Sequence, residues 1–235
     1  MTNNPSADNL TERCPTPDAN NIRSTASVGS QFLKGELANA LTHGIGFILS
    51  LAAVAFFWYA TSGKSIGLRI NCLIFTASMA IVYLCSTLSH AVHDPQWRPR
   101  MRAWDQGTIY LLIAGTYSPF IWYGSPPGWT GTIMAAVWMA AWSGFYLKVI
   151  AAYRIEAVST VTYVLLGWIP AMALFAGTPN ICIFWMVAGG LSYTLGILFL
   201  IRSHRTWFTH SLWHIAVIIG SLCHCIAINE LIGMA

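Results

Sequence analysis

GLRINCLIFTASMAIVYLCSTLSH, running from Gly67 to His90, decides the fold. Arg69 is its one charged side chain. Behind that arginine runs an apolar stretch as long as the roughly 20 residues that carry a helix across a hydrocarbon core. The stretch closes on Ser86 and His90, four residues apart. Six more windows of the same kind lie at 38–60, 104–123, 130–150, 157–177, 180–201 and 210–232. Each gap carries a break signal: Ser62-Gly63-Lys64, Asp94-Pro95 with Arg98-Pro99-Arg100, Gly124-Ser125-Pro126-Pro127-Gly128, Arg154 with Glu156, Gly177-Thr178-Pro179-Asn180, and Arg202-Ser203-His204-Arg205. Pro119 and Pro170 fall inside helical windows, where membrane helices accept them as kinks. The sequence therefore predicts an all-α membrane protein, a bundle of seven transmembrane helices forming one domain over 34–235. Residues 1–33 are polar, carry no signal peptide, and are expected to be a disordered cytoplasmic tail.

Composition agrees. The chain is 56% hydrophobic and only 9% charged, whereas a soluble domain carries roughly 25% charged residues to wet its surface. Lipid has to cover most of this one. The formal net charge of +4 is small and gives no sign of a nucleic-acid partner. Six cysteines form no CxxC pair and no disulfide-like framework; most sit in apolar stretches, where cysteine behaves as a small hydrophobe.

The placement of Lys and Arg sets the orientation. Arg13, Arg23, Lys34, Arg98, Arg100, Arg102, Lys148, Arg154, Arg202 and Arg205 fall on one side and Lys64 and Arg69 on the other, ten against two. The N-terminus is thus expected in the cytoplasm and, after seven crossings, the C-terminus outside, in the cell (plasma or inner) membrane.

Polar residues at membrane depth are costly and ask for a reason. Ser86 and His90 share one face at the cytoplasmic end of the second helix, Asp105 opens the third, and His210 and His214 share one face at the start of the seventh. The topology puts all five at one depth, near the cytoplasmic leaflet. Three imidazoles suit a zinc ion that keeps one position open for water, and an adjacent carboxylate can hold that water or take its proton. His90, His210 and His214 are the expected metal ligands. Asp105 is the expected catalytic carboxylate, and Ser86 can hydrogen-bond the water or a substrate carbonyl. Glu36, Asn39 and His43 share a face of the first helix and either hold the ligands in place, wall the same cavity, or simply begin the helix. His93 and His204 read as loop histidines. His224, about 21 Å along the seventh helix from His210, reads as a buried, hydrogen-bonded histidine.

At this point the motifs resemble a known family. Glu36-Leu-Ala-Asn39-Ala-Leu-Thr-His43-Gly-Ile-Gly46, Ser86-x3-His90, Asp105-Gln-Gly-Thr-Ile-Tyr-Leu-Leu-Ile-Ala-Gly-Thr-Tyr-Ser-Pro119-Phe120 and His210-Ser-Leu-Trp-His214-Ile-Ala-Val-Ile-Ile-Gly220-Ser are similar, in order, to the motifs of the hemolysin III family, within the progestin and adiponectin receptor superfamily. Gln106 departs from the histidine found in many relatives. The resemblance implies seven helices with a cytoplasmic N-terminus, zinc on His90, His210 and His214, and Asp105 and Ser86 close to the bound water. Its wider group is similar to alkaline ceramidases, which implies hydrolysis of lipid amides.

Three functions follow for weighing. One is an intramembrane zinc hydrolase of lipid amides or esters serving membrane lipid homeostasis. The second is a sensor or receptor of lipid or membrane state with a structural zinc. The third is a hemolysin-like pore former, which ranks last because a conducting path needs polar groups along its length and the fourth to sixth helices supply few. Substrate identity and oligomeric state are not legible.

Overall fold

The computed structural model describes residues 19–151, 156–203, 206 and 208–235, and every regular element among the described residues is a helix. Seven α-helices follow one another: α1 Ala19–Ala60, α2 Ile66–Ala91, α3 Arg98–Gly124, α4 Thr130–Val149, α5 Glu156–Leu174, α6 Asn180–Ile201 and α7 Thr209–Met234, with a single 3-10 turn at Phe175–Gly177. Every expected window is a helix. The start of α1 differs: it lies at Ala19, so residues 19–33 of the expected tail are helical. No proline interrupts the chain between Pro17 and Pro95, and nothing upstream of the apolar window therefore stops the helix from extending. Residues 1–18, with Cys14, lie outside the described residues. The five described cysteines are all free.

Local signals set several ends. Ser65 caps α2 by accepting from the Leu68 amide at 3.3 Å. Pro99 sits in the first turn of α3, where its missing N–H costs nothing. Pro119 and Pro170 lie inside α3 and α5 as expected.

Six of the seven helices are long and apolar enough to cross a membrane. The exception is α3, which begins with Arg98, Arg100, Arg102 and Asp105 and carries Thr108, Thr116, Tyr117 and Ser118 further along. Those last four are buried against protein, so α3 has little need of a lipid-compatible surface. It packs on α2, α4 and α5 and touches α7, while α1 joins α2 to α7 and α6 lies along α7. The ring is loosest between α5 and α6. Small residues allow the tight crossings: a Cβ on Gly115 would stand 2.2 Å from Ser78 Oγ on α2. The interior between α1, α2, α3 and α7 at one end of the bundle holds the histidines.

Candidate metal centre

His90 comes from the last turn of α2, and His210 and His214 from the first two turns of α7. Their ring centroids lie 5.1 Å (His90–His210), 5.1 Å (His90–His214) and 4.6 Å (His210–His214) apart. One nitrogen from each ring falls within 4.8 Å of the other two. Zn–N bonds of about 2.0–2.1 Å in a tetrahedron would place such nitrogens roughly 3.3 Å apart, so small ring rotations close the difference. This three-histidine cluster could hold a metal ion, and its all-imidazole donor set suits a transition metal.

The hydrogen bonds around the rings fix which nitrogen is available. His90 Nδ1 lies 3.0 Å from Glu36 Oε2; an ionised carboxylate only accepts, so Nδ1 carries the proton and donates it. His90 Nε2 keeps its lone pair, and it is buried with no hydrogen-bond partner among the described residues. His214 Nδ1 lies 3.2 Å from the Asn39 carbonyl oxygen and 3.1 Å from Thr42 Oγ1. The carbonyl likewise makes Nδ1 the donor and frees Nε2. Metal-binding histidines are oriented in this way, by a carboxylate or carbonyl on the other ring nitrogen. Glu36 is itself held by Arg98 Nη2 at 2.8 Å and Arg102 Nη2 at 3.6 Å. Asn39 Oδ1 accepts from Ser211 Oγ at 2.6 Å. Glu36 and Asn39 thus touch the rings of His90 and His214 directly, and because α1 starts at Ala19 they do not begin the helix.

Asp105 joins the group from α3. Ser89 Oγ donates to its Oδ2 at 2.8 Å, and the buried Ser86 Oγ faces the same carboxylate. His43 stacks on His214 with centroids 3.6 Å apart and planes 12° from parallel. Lone pairs on parallel rings lie in parallel planes, so His43 and His214 do not converge on one ion here. Both His43 nitrogens are buried and unpartnered among the described residues.

The family model for Haemolysin-III related proteins matches residues 32–225. The chain belongs to that family. It is 35% identical over 198 residues to Hemolysin-3 of Bacillus cereus, covering 82% of this chain and 89% of that protein. A Hemolysin-3 homolog of Bacillus subtilis (strain 168) is 35% identical over 194 residues, 80% of this chain and 90% of the relative. The human Monocyte to macrophage differentiation factor is 22% identical over 165 residues, 68% and 69% of the two chains. That likeness extends the relationship to the progestin and adiponectin receptor superfamily.

Beside the cluster, this haemolysin-III related chain holds a cavity of about 120 Å³ among α3, α5, α6 and α7. Its walls are mostly apolar, and Asp105 and His43 stand at one end of it and His224 near the other. Thr42, Ser89, Arg98, Arg102 and Ser211 are site residues that sequence reasoning did not single out. Ser89 lies three residues from Ser86 on the same face, and Thr42 three from Asn39, so the helical spacing offered a signal for both. Arg98 and Arg102 entered only as topology markers. His93 is an exposed residue bonded to the Ala91 carbonyl, which fits a loop role, and His204 lies outside the described residues. Trp213 lines the cavity. His224 departs from its expectation: it is buried, but its Nδ1 has no hydrogen-bond partner among the described residues.

Proposed function

We propose that this haemolysin-III related protein is a seven-span protein of the plasma or inner membrane, N-terminus in the cytoplasm, that binds one zinc ion near the cytoplasmic leaflet. Bound there, it hydrolyses an amide or ester of a membrane lipid, serving membrane lipid homeostasis. The observation that carries this reading is the juxtaposition of the mostly apolar cavity with the histidine cluster: the cavity's polar end is Asp105 and His43, and His43 lies flat against His214.

His90, His210 and His214 would hold the metal, which when bound supplies Lewis-acid polarisation and a water of lowered pKa. The chain's own residues do the rest. Glu36 and the Asn39 carbonyl fix the rings of His90 and His214 with Nε2 free. Asp105, steadied by Ser89, is placed to accept the proton of the water that attacks the lipid carbonyl carbon. It then returns that proton to the leaving amine or alkoxide as the C–N or C–O bond breaks. The Ser86 hydroxyl, buried beside Asp105, is placed to donate to the carbonyl oxygen. The cavity takes the acyl chain out of water, which strengthens each of these interactions.

A second reading, a sensor of lipid or membrane state with a structural zinc, draws on the convergence of α1, α2, α3 and α7 through Glu36, His90, Arg98 and His214. Structural zinc ordinarily has four protein ligands. The stacked His43 is poorly directed for that part, which favours an open position. Metal analysis of the purified chain separates the cases. About one zinc per chain is expected, lost in the doubly substituted His210→Ala, His214→Ala protein. Asp105→Ala should keep the zinc and lose hydrolysis across a panel of lipid amides and esters. Zinc without turnover by the native chain on any lipid moves the sensor to first place, and metal-free native protein removes both readings.

A further inference from the structure

Deep in the bundle, His224 stands about 15 Å along α7 from His214, at 1.5 Å per residue. It lines the same cavity as Asp105. Its ring stacks on Tyr193 of α6, centroids 5.5 Å apart and planes 26° from parallel. The close approach of α6 that brings the two together depends on Gly189, where a Cβ would lie 2.8 Å from His224 Nε2. The hydroxyls nearby are engaged with one another: Tyr83 Oη donates to Ser221 Oγ at 2.8 Å, and Tyr193 Oη lies 2.9 Å from the same oxygen. His224 is left out of that chain. It is 6% exposed, and its Nδ1 is buried with no hydrogen-bond partner among the described residues.

A neutral imidazole carries one donor and one acceptor, and burying such groups unmet is expensive. Polar groups kept under those terms in apolar walls are the ones that fix a ligand's orientation in an otherwise greasy pocket. No Lys or Arg is among the residues lining this cavity, and Asp105 is its one acid, so the lining offers no cation to neutralise an anionic ligand. A neutral group able to donate and accept therefore matches the ring in either tautomer, and on a lipid chain that group is a hydroxyl. We propose that His224 anchors a hydroxyl carried on the apolar chain of the bound lipid, about 15 Å from His214, and so selects hydroxylated acyl chains over plain ones. This rests on the reading of the cavity as a lipid site, but not on any turnover at the metal end.

The test is equilibrium binding to the purified full chain in detergent, measured for octadecanoic acid and for a series of hydroxy-octadecanoic acids with the hydroxyl walked along the chain. The native protein should bind one position of the series about tenfold more tightly than octadecanoic acid, the worth of one well-made buried hydrogen bond. His224→Phe keeps a ring to stack on Tyr193 and should bind every member of the series alike, with octadecanoic acid held at least as tightly as by the native chain. His224→Gln, which retains a donor and an acceptor, should restore part of the preference, a recovery that a purely structural histidine would not give. Two results overturn the inference alone: octadecanoic acid binds the native chain but no hydroxyl position is preferred, as when water already satisfies the ring, or the preference survives in His224→Phe. Absence of binding by any acid overturns the lipid reading of the cavity along with it.

Discussion

Glu36 is where the site depends most on one side chain. Its Oε2 accepts from His90 Nδ1 and its Oε1 faces two arginines, so a single carboxylate sets a ligand's tautomer and pins α1 to α3. Glu36→Gln leaves an acceptor for His90 but removes the charge that makes Nδ1 the donor and holds Arg98. Loss of such an outer partner typically lowers metal affinity 10- to 100-fold. We expect a drop of that size in competition against a chelator of known affinity, with helix content unchanged by circular dichroism. Ser89 is a cleaner probe of Asp105. Ser89→Ala deletes the 2.8 Å bond to Oδ2 without touching a histidine; it should retain full zinc while lipid hydrolysis falls about tenfold, the worth of one hydrogen bond to a charged group. Equal loss of metal and turnover would show that Asp105 and the cluster are not separable.

Among the elements, α3 carries the clearest conflict between composition and place. Its first turns hold three arginines and an aspartate, and its later turns Gly115, Thr116, Tyr117 and Ser118, yet it lies against more neighbouring helices than α6, which is far more apolar. Close packing on α2 resolves the conflict, and Gly115 makes it possible. Ser78 Oγ is tied to the Phe75 carbonyl at 2.7 Å, so it gives way poorly to an added side chain. Gly115→Val should therefore cost roughly 1–3 kcal/mol by overpacking, read as a lowered midpoint of thermal unfolding in detergent, and Ser78→Gly in the same chain should recover part of it. The helix itself was legible from the apolar window at 104–123. Its true start at Arg98 was not, because charged residues that reach an interface or a partner such as Glu36 do not end a helix. The same holds for α1, whose first turns lie upstream of any hydrophobic signal.

At the scale of the whole molecule, the histidine cluster was readable because its members repeat at four residues and share one depth, two constraints that sequence alone exposes. The partners Thr42, Ser211 and Arg98 depend on which faces of α1, α3 and α7 meet, and the cavity is walled by ordinary Ile, Val and Tyr side chains that any apolar helix supplies; neither could be read before the helices were packed. Orientation is the part of the architecture that packing does not fix, and α3 decides it. With six crossings both ends of the chain lie on one side, while with seven they lie on opposite sides. By the ten-to-two division of Lys and Arg, the even-numbered gaps, and with them the start of α7 and its two histidines, are expected in the cytoplasm. If α3 crosses, Ala235 faces outward. Alkaline phosphatase fused after Ala235 should then be active in intact cells and a fluorescent protein at the same position dark, with the reverse pattern for fusions between α2 and α3. A fluorescent C-terminal fusion with an inactive phosphatase would mean that α3 does not cross.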